Sequence, residues 1–157
     1  MALETTGEVT VEVDRATAFA FVQDPERLAG CIPGCHDLRE LSPGRYSAVL
    51  THRVAFMTLS FKVIIDVVRM EPPTEIEAKI TGDAVGLPGH LVAAASVRLT
   101  EAAGRRTTIR YATDVGLTGK LGGLGQPAFR TIGAQLAREF GVHLKKGIEA
   151  GRTETHA

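Results

Sequence analysis

The chain has 157 residues, the length of about one domain, so two independent catalytic domains do not fit. Its 18 basic residues balance 18 acidic ones, and nothing in this net charge favours binding to nucleic acid. With 44% hydrophobic and 23% charged residues, the composition is that of a globular protein rather than a disordered or fibrous one.

The N-terminal part predicts one strand and two short helices. Valines alternate with polar residues over Glu8–Asp14, which is the period of a half-buried strand. Asp14 is a candidate N-cap, and the apolar residues behind it, three apart, predict a helix over Arg15–Gln23. A second short helix is begun by Asp24-Pro25 and ended by Pro33-Gly34.

The middle of the chain predicts six more strands between Asp37 and Leu117. Its segments are β-branched or alternate between apolar and polar residues, and turn-forming residues separate them. Short connections and one-sided patterning are typical of antiparallel hairpins with one solvated face. The predicted turns lie at or near Ser42–Gly44, Met57–Thr58, Glu71–Thr74, Asp83–Gly89 and Ala102–Gly104.

The C-terminal part predicts one long amphipathic helix after the glycine-rich segment Gly119–Pro127. The apolar period changes there from two to about 3.6 residues. Gly133 and Gly141 each cost about 1 kcal/mol in a helix, so we expect them to allow close approach of another element. Gly151 is expected to end the helix. The apolar stripe consists of Phe129, Ile132, Leu136, Phe140, Leu144 and Ile148.

This order of elements predicts an α+β fold. A seven-stranded antiparallel sheet buries the apolar stripe of the long helix against one face, in two layers. If the sheet is strongly curved, it wraps around the helix and leaves a cavity between them. We expect a single domain over residues 1–150 and a flexible C-terminal tail over residues 151–157.

Two features bear on location. No apolar run reaches the ~18 residues of a membrane-spanning helix. The first seven residues lack the positive and apolar regions of a secretory signal. We therefore expect a cytoplasmic protein.

Two separated motifs carry a resemblance to a known family. The first, DPERLAGCIPGC, is Asp24–Cys35; the second, GKLGGLGQ, is Gly119–Gln126, followed on the long helix by LAREF at Leu136–Phe140. In order and spacing they resemble the carbon monoxide dehydrogenase CoxG family of the Bet v 1/START-like (SRPBCC) superfamily. The resemblance implies a helix-grip fold, in which a curved seven-stranded antiparallel sheet wraps around a long C-terminal helix.

The resemblance also implies a function. Members of the family are accessory proteins of molybdenum hydroxylases such as carbon monoxide dehydrogenase. They are thought to assist membrane recruitment of the enzyme and to hold an apolar ligand, such as a quinone or lipid, in an internal cavity. We therefore expect a noncatalytic protein with no required cofactor. Its expected partners are an apolar small molecule, a molybdenum hydroxylase complex and, transiently, the inner face of the cytoplasmic membrane.

The predicted ligand site consists of apolar residues at inward-facing strand positions and on the helix stripe, since ligand pockets are mostly apolar with few polar anchors. Leu121 and Leu124, in the glycine-rich segment, are candidates for covering the ligand. His52 and Arg53 are the candidate polar anchors, because His52 alternates with apolar residues; a purely structural histidine stays open. The predicted lining is Phe61, Val63, Ile65, Leu91, Ala93, Ala95, Val97, Ile109, Tyr111, Phe129, Ile132, Leu136 and Phe140.

Two loops are candidates for an entrance that meets the membrane or a partner enzyme. Ala84–His90 is unusually apolar for a connection, and exposed apolar loop residues are often interaction points. The glycine-rich segment is the second. It lacks the Ser or Thr after Lys120 that a phosphate-binding Walker motif requires. Tight turns over the end of the core explain both loops equally well.

Cys31 and Cys35 invite a metal or haem interpretation. The spacing to His36 is one residue too long for covalent haem attachment. A zinc site would need His52 or His90 brought from far away. No metal is therefore predicted, and reduced cysteines around a Pro-Gly turn are expected. A reversible thiol switch stays open.

No catalytic residue is predicted, because no Ser-His-Asp or Glu-x-x-His arrangement is evident. The alternative is a polyketide cyclase-like or other small-molecule-converting enzyme that uses the same cavity. Its candidate residues are His52, Arg53 and Tyr111. A purely structural protein with a filled cavity is the third interpretation.

Overall fold

A computed structural model describes residues 2–54, 57–119 and 126–155. The observed succession of strands and helices is the predicted one. In chain order the elements are β1 (Ala2–Val11), α1 (Arg15–Val22), α2 (Pro25–Cys31), β2 (Cys35–Ser42), β3 (Arg45–Val54), β4 (Met57–Glu71), β5 (Glu75–Ala84), β6 (Gly89–Ala102), β7 (Arg106–Gly119) and α3 (Gln126–Thr155).

Two predicted boundaries are wrong. β1 covers Ala2–Val11 instead of Glu8–Asp14, because β7 is long enough to pair with all ten of its residues. α3 continues to Thr155 instead of ending at Gly151. A glycine lowers helix stability by about 1 kcal/mol but leaves the backbone hydrogen bond in place, so it does not by itself stop a helix.

The two short helices begin where their caps predict. Asp14 accepts hydrogen bonds from the Thr17 amide at 3.3 Å and from the Thr17 hydroxyl at 2.6 Å. Asp24 accepts from the Glu26 amide at 3.1 Å, with Pro25 in the first turn. These bonds satisfy amide groups that have no partner inside the helix. The two helices connect β1 to β2.

The strands form one seven-stranded antiparallel sheet in the order β1-β7-β6-β5-β4-β3-β2, so β1 and β2 are its edges. β1 pairs with β7 in an uninterrupted register. The β2–β3 pairing, in contrast, contains two register shifts, and Asp37 in β2 has a positive φ of 56°. The fold is therefore a meander of hairpins closed by the N-terminal strand beside the last one.

α3 runs along β1, and its apolar side packs on the inward face of the sheet. A Cβ atom added at Gly133 would lie 3.2 Å from Thr5 Oγ1, and one at Gly141 would lie 3.0 Å from Val9 Cγ1. The predicted close approach at these two glycines is confirmed.

Buried side chains form two core clusters. The α1 cluster joins α1 and α2 to one end of the sheet and to Leu144 and Ile148 of α3. The β3 cluster joins β3, β4 and the other end of the sheet to Phe129, near the start of α3. The helix thus connects the two cores: Ile132 packs against the β3 cluster and Phe140 against the α1 cluster, about 12 Å further along its axis at a rise of ~1.5 Å per residue.

Candidate functional site

A row of small and partly buried side chains crosses the concave face between the two core clusters. Thr5 on β1 is paired with Thr113 on β7, which is paired with Ala95 on β6 and through it with Ala78 on β5. We call these four residues the central row. All four are partly accessible although they lie in the middle of the sheet.

The rows on either side of the central row belong to the clusters. On one side Ala93 is buried in the β3 cluster, and Ile80 and Val115 pack against it. On the other side Ile76 and Val97 are buried in the α1 cluster. The central row is thus a stretch of small, partly accessible side chains between two packed clusters, and we call the region above it the central space.

Leu136 lies on α3 at the level of the central row. It is one turn from Gly133, which packs beside Thr5, and next to Ala137, whose carbonyl accepts a hydrogen bond from the Tyr111 hydroxyl at 2.8 Å. Leu136 is only partly buried and belongs to neither cluster. Its accessible apolar surface is available to a ligand.

Tyr111 closes the space toward β1. Its ring lies over Gly7, where a Cβ atom would clash with it, and meets Phe140 edge-on at a centroid distance of 4.9 Å. An aromatic ring over a strand glycine supplies the packing that the glycine lacks. Tyr111 and Phe140 therefore form a wall between the central space and the α1 cluster, against which both pack.

A polar corner adjoins the space where α3 meets β3 and the loop before β2. His52 lies on β3 against Gly34, where a Cβ atom would be 2.7 Å from its Cε1. Gly34 has a positive φ of 78°, and its carbonyl accepts from the Thr51 amide at 3.0 Å. Only glycine fits this loop position, for both reasons. Gly34 thus fixes the imidazole on the concave side.

Glu139 on α3 lies near enough to His52 to act on it electrostatically. Burial lowers the pKa of His52, and the negative charge of Glu139 opposes this by raising it. The carboxylate accepts from the Gln135 amide nitrogen at 3.3 Å, and Glu139 is one turn from Leu136. The corner therefore offers a neutral imidazole and a carboxylate next to an apolar space, which suits a ligand with one polar end.

Of the predicted lining residues, Ala95 and Leu136 lie in the space between the clusters. Tyr111 and Phe140 form its wall, and Ile65 and Ile132 pack against the β3 cluster. Leu121 and Leu124 lie outside the described residues. The remaining predicted lining residues are buried inside the clusters: Phe61, Val63, Leu91, Ala93 and Phe129 in the β3 cluster, Val97 and Ile109 in the α1 cluster.

Two predicted site residues need correction. Ile109 has no accessible surface, so it contacts protein atoms alone in this structure. Arg53 is exposed, and because neighbouring residues of a strand point to opposite faces, it lies on the convex side while His52 lies on the concave side. Arg53 is therefore not a polar anchor of this space.

Sequence reasoning missed Thr5, Thr113, Ala78 and Glu139. Thr113 and Ala78 continue the alternation of predicted inward positions, so the strand period contains a signal for both. The helical period places Glu139 on the polar face of the helix. Its electrostatic effect on His52 depends on where α3 lies across the sheet, and the helical period does not contain that information.

The two cysteines and the apolar loop before β6 add no reactive group to the polar corner. Cys31 and Cys35 are free, and burial raises the pKa of both thiols, which makes them weak nucleophiles. The described residues hold no group of three or more metal-binding side chains. In the loop before β6, Leu87 packs against the β3 cluster, whereas Val85 is exposed.

An open groove of about 1060 Å³ lies on the far side of α3 from Leu136. Its strand wall is residues 3–9 of β1, and its helix wall includes Arg130, Ala134, Arg138 and Val142. We call it the β1 groove. Tyr111 is the predicted lining residue that reaches it. Among the residues described, no helix combines the length and apolar character that a membrane crossing demands.

Comparison with known proteins identifies relatives of this structure. The sequence model of the carbon monoxide dehydrogenase CoxG family matches residues 7–148. No curated protein matches. A conserved protein from Geobacillus kaustophilus has a similar structure, with a TM-score of 0.82 and 24% identity over 94% of this chain and 96% of that one.

Two more distant structures share the fold. An aromatase/cyclase, Zhui, from Streptomyces sp. R1128 gives a TM-score of 0.69 at 14% identity, over 95% of this chain and 94% of that one. A START superfamily protein from Mycobacterium smegmatis gives 0.62 at 16% identity, over 98% and 99%. At these identities the similarity establishes the fold, and the predicted helix-grip architecture is confirmed.

Proposed function

The chain belongs to the carbon monoxide dehydrogenase CoxG family, and from this premise we propose that it is a noncatalytic accessory protein that holds an apolar small molecule over the central row. The observation that carries the proposal is the partial accessibility of the central row between the two core clusters. Ala95 and Ala78 are small residues of this row, and Leu136 on α3 is partly accessible and belongs to neither cluster. A quinone or a lipid is the proposed ligand class.

The polar corner supports a ligand with one polar end. A neutral His52 imidazole has one donor and one acceptor nitrogen, and it can donate to a carbonyl oxygen such as that of a quinone. The negative charge of Glu139 raises the pKa of His52 and so favours the protonated imidazole, against the effect of burial. The apolar remainder of the ligand would lie along the central row, where burial of apolar surface contributes ~25 cal/mol per Å².

The accessory role extends the proposal to partners. We infer from the family that the ligand-loaded protein assists a molybdenum hydroxylase at the membrane, and Val85 supports this as an exposed apolar residue at a loop tip. Sedimentation of a purified hydroxylase with anionic phospholipid vesicles, with and without this protein, tests the recruitment. Equal sedimentation in both samples would contradict it.

Ligand binding is tested by filling the space. Native mass spectrometry and ultraviolet spectra of the organic extract detect a bound lipid or quinone, and titration with a short-chain ubiquinone measures binding. Ala95→Phe and Leu136→Trp are expected to abolish binding. Ala94→Phe is the matched control, because Ala94 is the exposed neighbour on the opposite face of β6. A protein that is empty and does not bind ubiquinone would overturn the quinone proposal.

A second candidate function is conversion of the ligand, as in the cyclase-like enzymes of this fold. The observation that favours it is a partly buried His52 on the inward face of β3, whose pKa responds to the charge of Glu139, since an acid–base residue must lie next to its substrate. Incubating the extracted ligand with the protein and with His52→Gln, followed by mass spectrometry, separates the two functions. A product formed by the parent protein alone supports the enzyme; an unchanged ligand supports carriage.

A further inference from the structure

In the part of the chain that the structure describes, one edge of β1 is not paired with another strand. Over Glu4, Thr6 and Glu8 this edge borders the β1 groove. Lys145 Nζ donates to the Thr10 carbonyl at 2.9 Å, and the Glu12 amide donates to Glu149 at 2.9 Å. Both bonds come from α3, so even-numbered residues of this strand direct their backbone groups away from β7. The Thr10–Thr108 side-chain contact at 3.2 Å agrees, since side chains are closest in non-hydrogen-bonded pairs.

The same alternation holds upstream because the β1–β7 register has no shift. Glu4, Thr6 and Glu8 therefore direct their backbone N–H and C=O groups into the groove. Within the described residues no hydrogen bond to these edge groups is formed. They span about 13 Å at ~3.3 Å per residue. The edge is thus protected by α3 near Thr10 and open for the preceding stretch.

The opposite edge of the sheet is protected differently. β2 contains two register shifts, which interrupt a regular row of free backbone groups. β1 has a regular register over its whole length. A regular, unpaired edge beside a groove is the geometry to which an extended segment adds as a further strand.

The helix wall of the groove is basic, and its residues are spaced like the alternate residues of a β-strand. Arg130, Ala134 and Arg138 are four residues apart, a rise of about 6 Å, which nearly equals the ~6.6 Å between alternate residues of a strand. Neither arginine forms an ion pair within the described residues. Val142, 51% exposed, continues the wall by one more step.

We propose that the β1 groove binds an extended segment of a partner protein as an added β-strand, with acidic side chains of that segment facing Arg130 and Arg138 of α3. The strand edge supplies backbone hydrogen bonds and the helix wall selects the sequence. In the bound segment, the alternate side chains that face α3 would be acidic, small, acidic and apolar. They would lie opposite Arg130, Ala134, Arg138 and Val142, in that order.

A second copy of this chain fits the edge less well. In the symmetric antiparallel pairing about Thr6, Glu4 of each copy lies opposite Glu8 of the other, on the same face. Directly opposed like charges destabilise a strand pair. The charge pattern therefore favours a different protein as the occupant.

The test uses the ¹⁵N-labelled full chain and the synthetic peptide acetyl-Glu-Lys-Ala-Thr-Glu-Lys-Val-amide. Saturable NMR shifts are expected at the Glu4, Thr6 and Glu8 amides. A peptide with lysine in place of both glutamates is expected to bind roughly tenfold more weakly, since it loses two charge-assisted contacts. The double variant Arg130→Glu/Arg138→Glu is expected to reverse this preference.

Two further variants test the backbone hydrogen bonds and the charge contacts separately. Thr6→Pro removes an edge amide that does not pair with β7, so the fold is retained and binding of both peptides is lost. Lys146→Glu changes the charge of α3 outside the groove and leaves binding unchanged. Three results would overturn the proposal: no shifts at the β1 edge, equal binding of both peptides by the parent protein, or a dimer in light scattering that Thr6→Pro converts to a monomer.

Discussion

Leu136 and Leu144 lie on the same helix, about two turns apart, and their surroundings are opposite. Leu144 is fully buried in the α1 cluster, whereas Leu136 belongs to neither cluster and keeps free surface above the central row. The helical period gives both residues the same inward position. The difference teaches that the sheet, and not the helix, decides which part of the apolar stripe is core and which part is site.

The largest expected effect is on the free energy of unfolding, when Leu144 of α3 is shortened. Leu144→Ala should lower the free energy of unfolding by about 2–5 kcal/mol, because it leaves a cavity in a packed core. Leu136→Ala should cost about 1 kcal/mol, because that side chain is partly accessible and belongs to neither cluster. Urea unfolding followed by circular dichroism measures both. Equal costs would show that the space above the central row is filled.

The same comparison can be made on β6. Ala93 is buried in the β3 cluster and Ala95 lies in the central row. Ala93→Leu should destabilise the protein by about 1–3 kcal/mol through overpacking. Ala95→Leu should stay within about 0.5 kcal/mol of the parent protein, since the added atoms enter the central space. A large loss of stability for Ala95→Leu would remove the basis of the proposed ligand site.

The smallest expected effect concerns pH and sharpens the description of the polar corner. The pKa of His52 lies below its ordinary value of 6.5 because burial disfavours the charged form. The folded state therefore binds its proton less readily than the unfolded state. The folded state with a neutral His52 has its full stability above pH 6.5. This stability is lost as the pH falls from 6.5 through the lowered pKa, because over that range the unfolded state binds the proton more readily than the folded state. His52→Gln should flatten the stability profile in that range.

Glu139 supplies the control for this titration. Its negative charge raises the pKa of His52 against the effect of burial. Glu139→Gln should therefore lower the pKa of His52 further, which an NMR titration of the imidazole measures directly. An unchanged pKa would place the two side chains too far apart to act on one ligand.

The sequence determined the elements and most of the family assignment by local rules. Asp14 and Asp24 cap helices because their side chains accept backbone hydrogen bonds, and apolar alternation sets the strands. The DPERLAGCIPGC and GKLGGLGQ motifs indicate the family that the sequence model confirms over residues 7–148. These features depend on neighbours a few residues apart in the chain.

The tertiary structure alone decided which inward-facing residues are core and which line the proposed site. Ile109 and Ala95 both satisfy the strand period, yet one has no accessible surface and the other lies in the central row. Glu139 acts on the pKa of His52 only because the fold brings α3 near β3. Such positions depend on how far a helix is displaced across a curved sheet, and that displacement is set by packing between residues about a hundred positions apart.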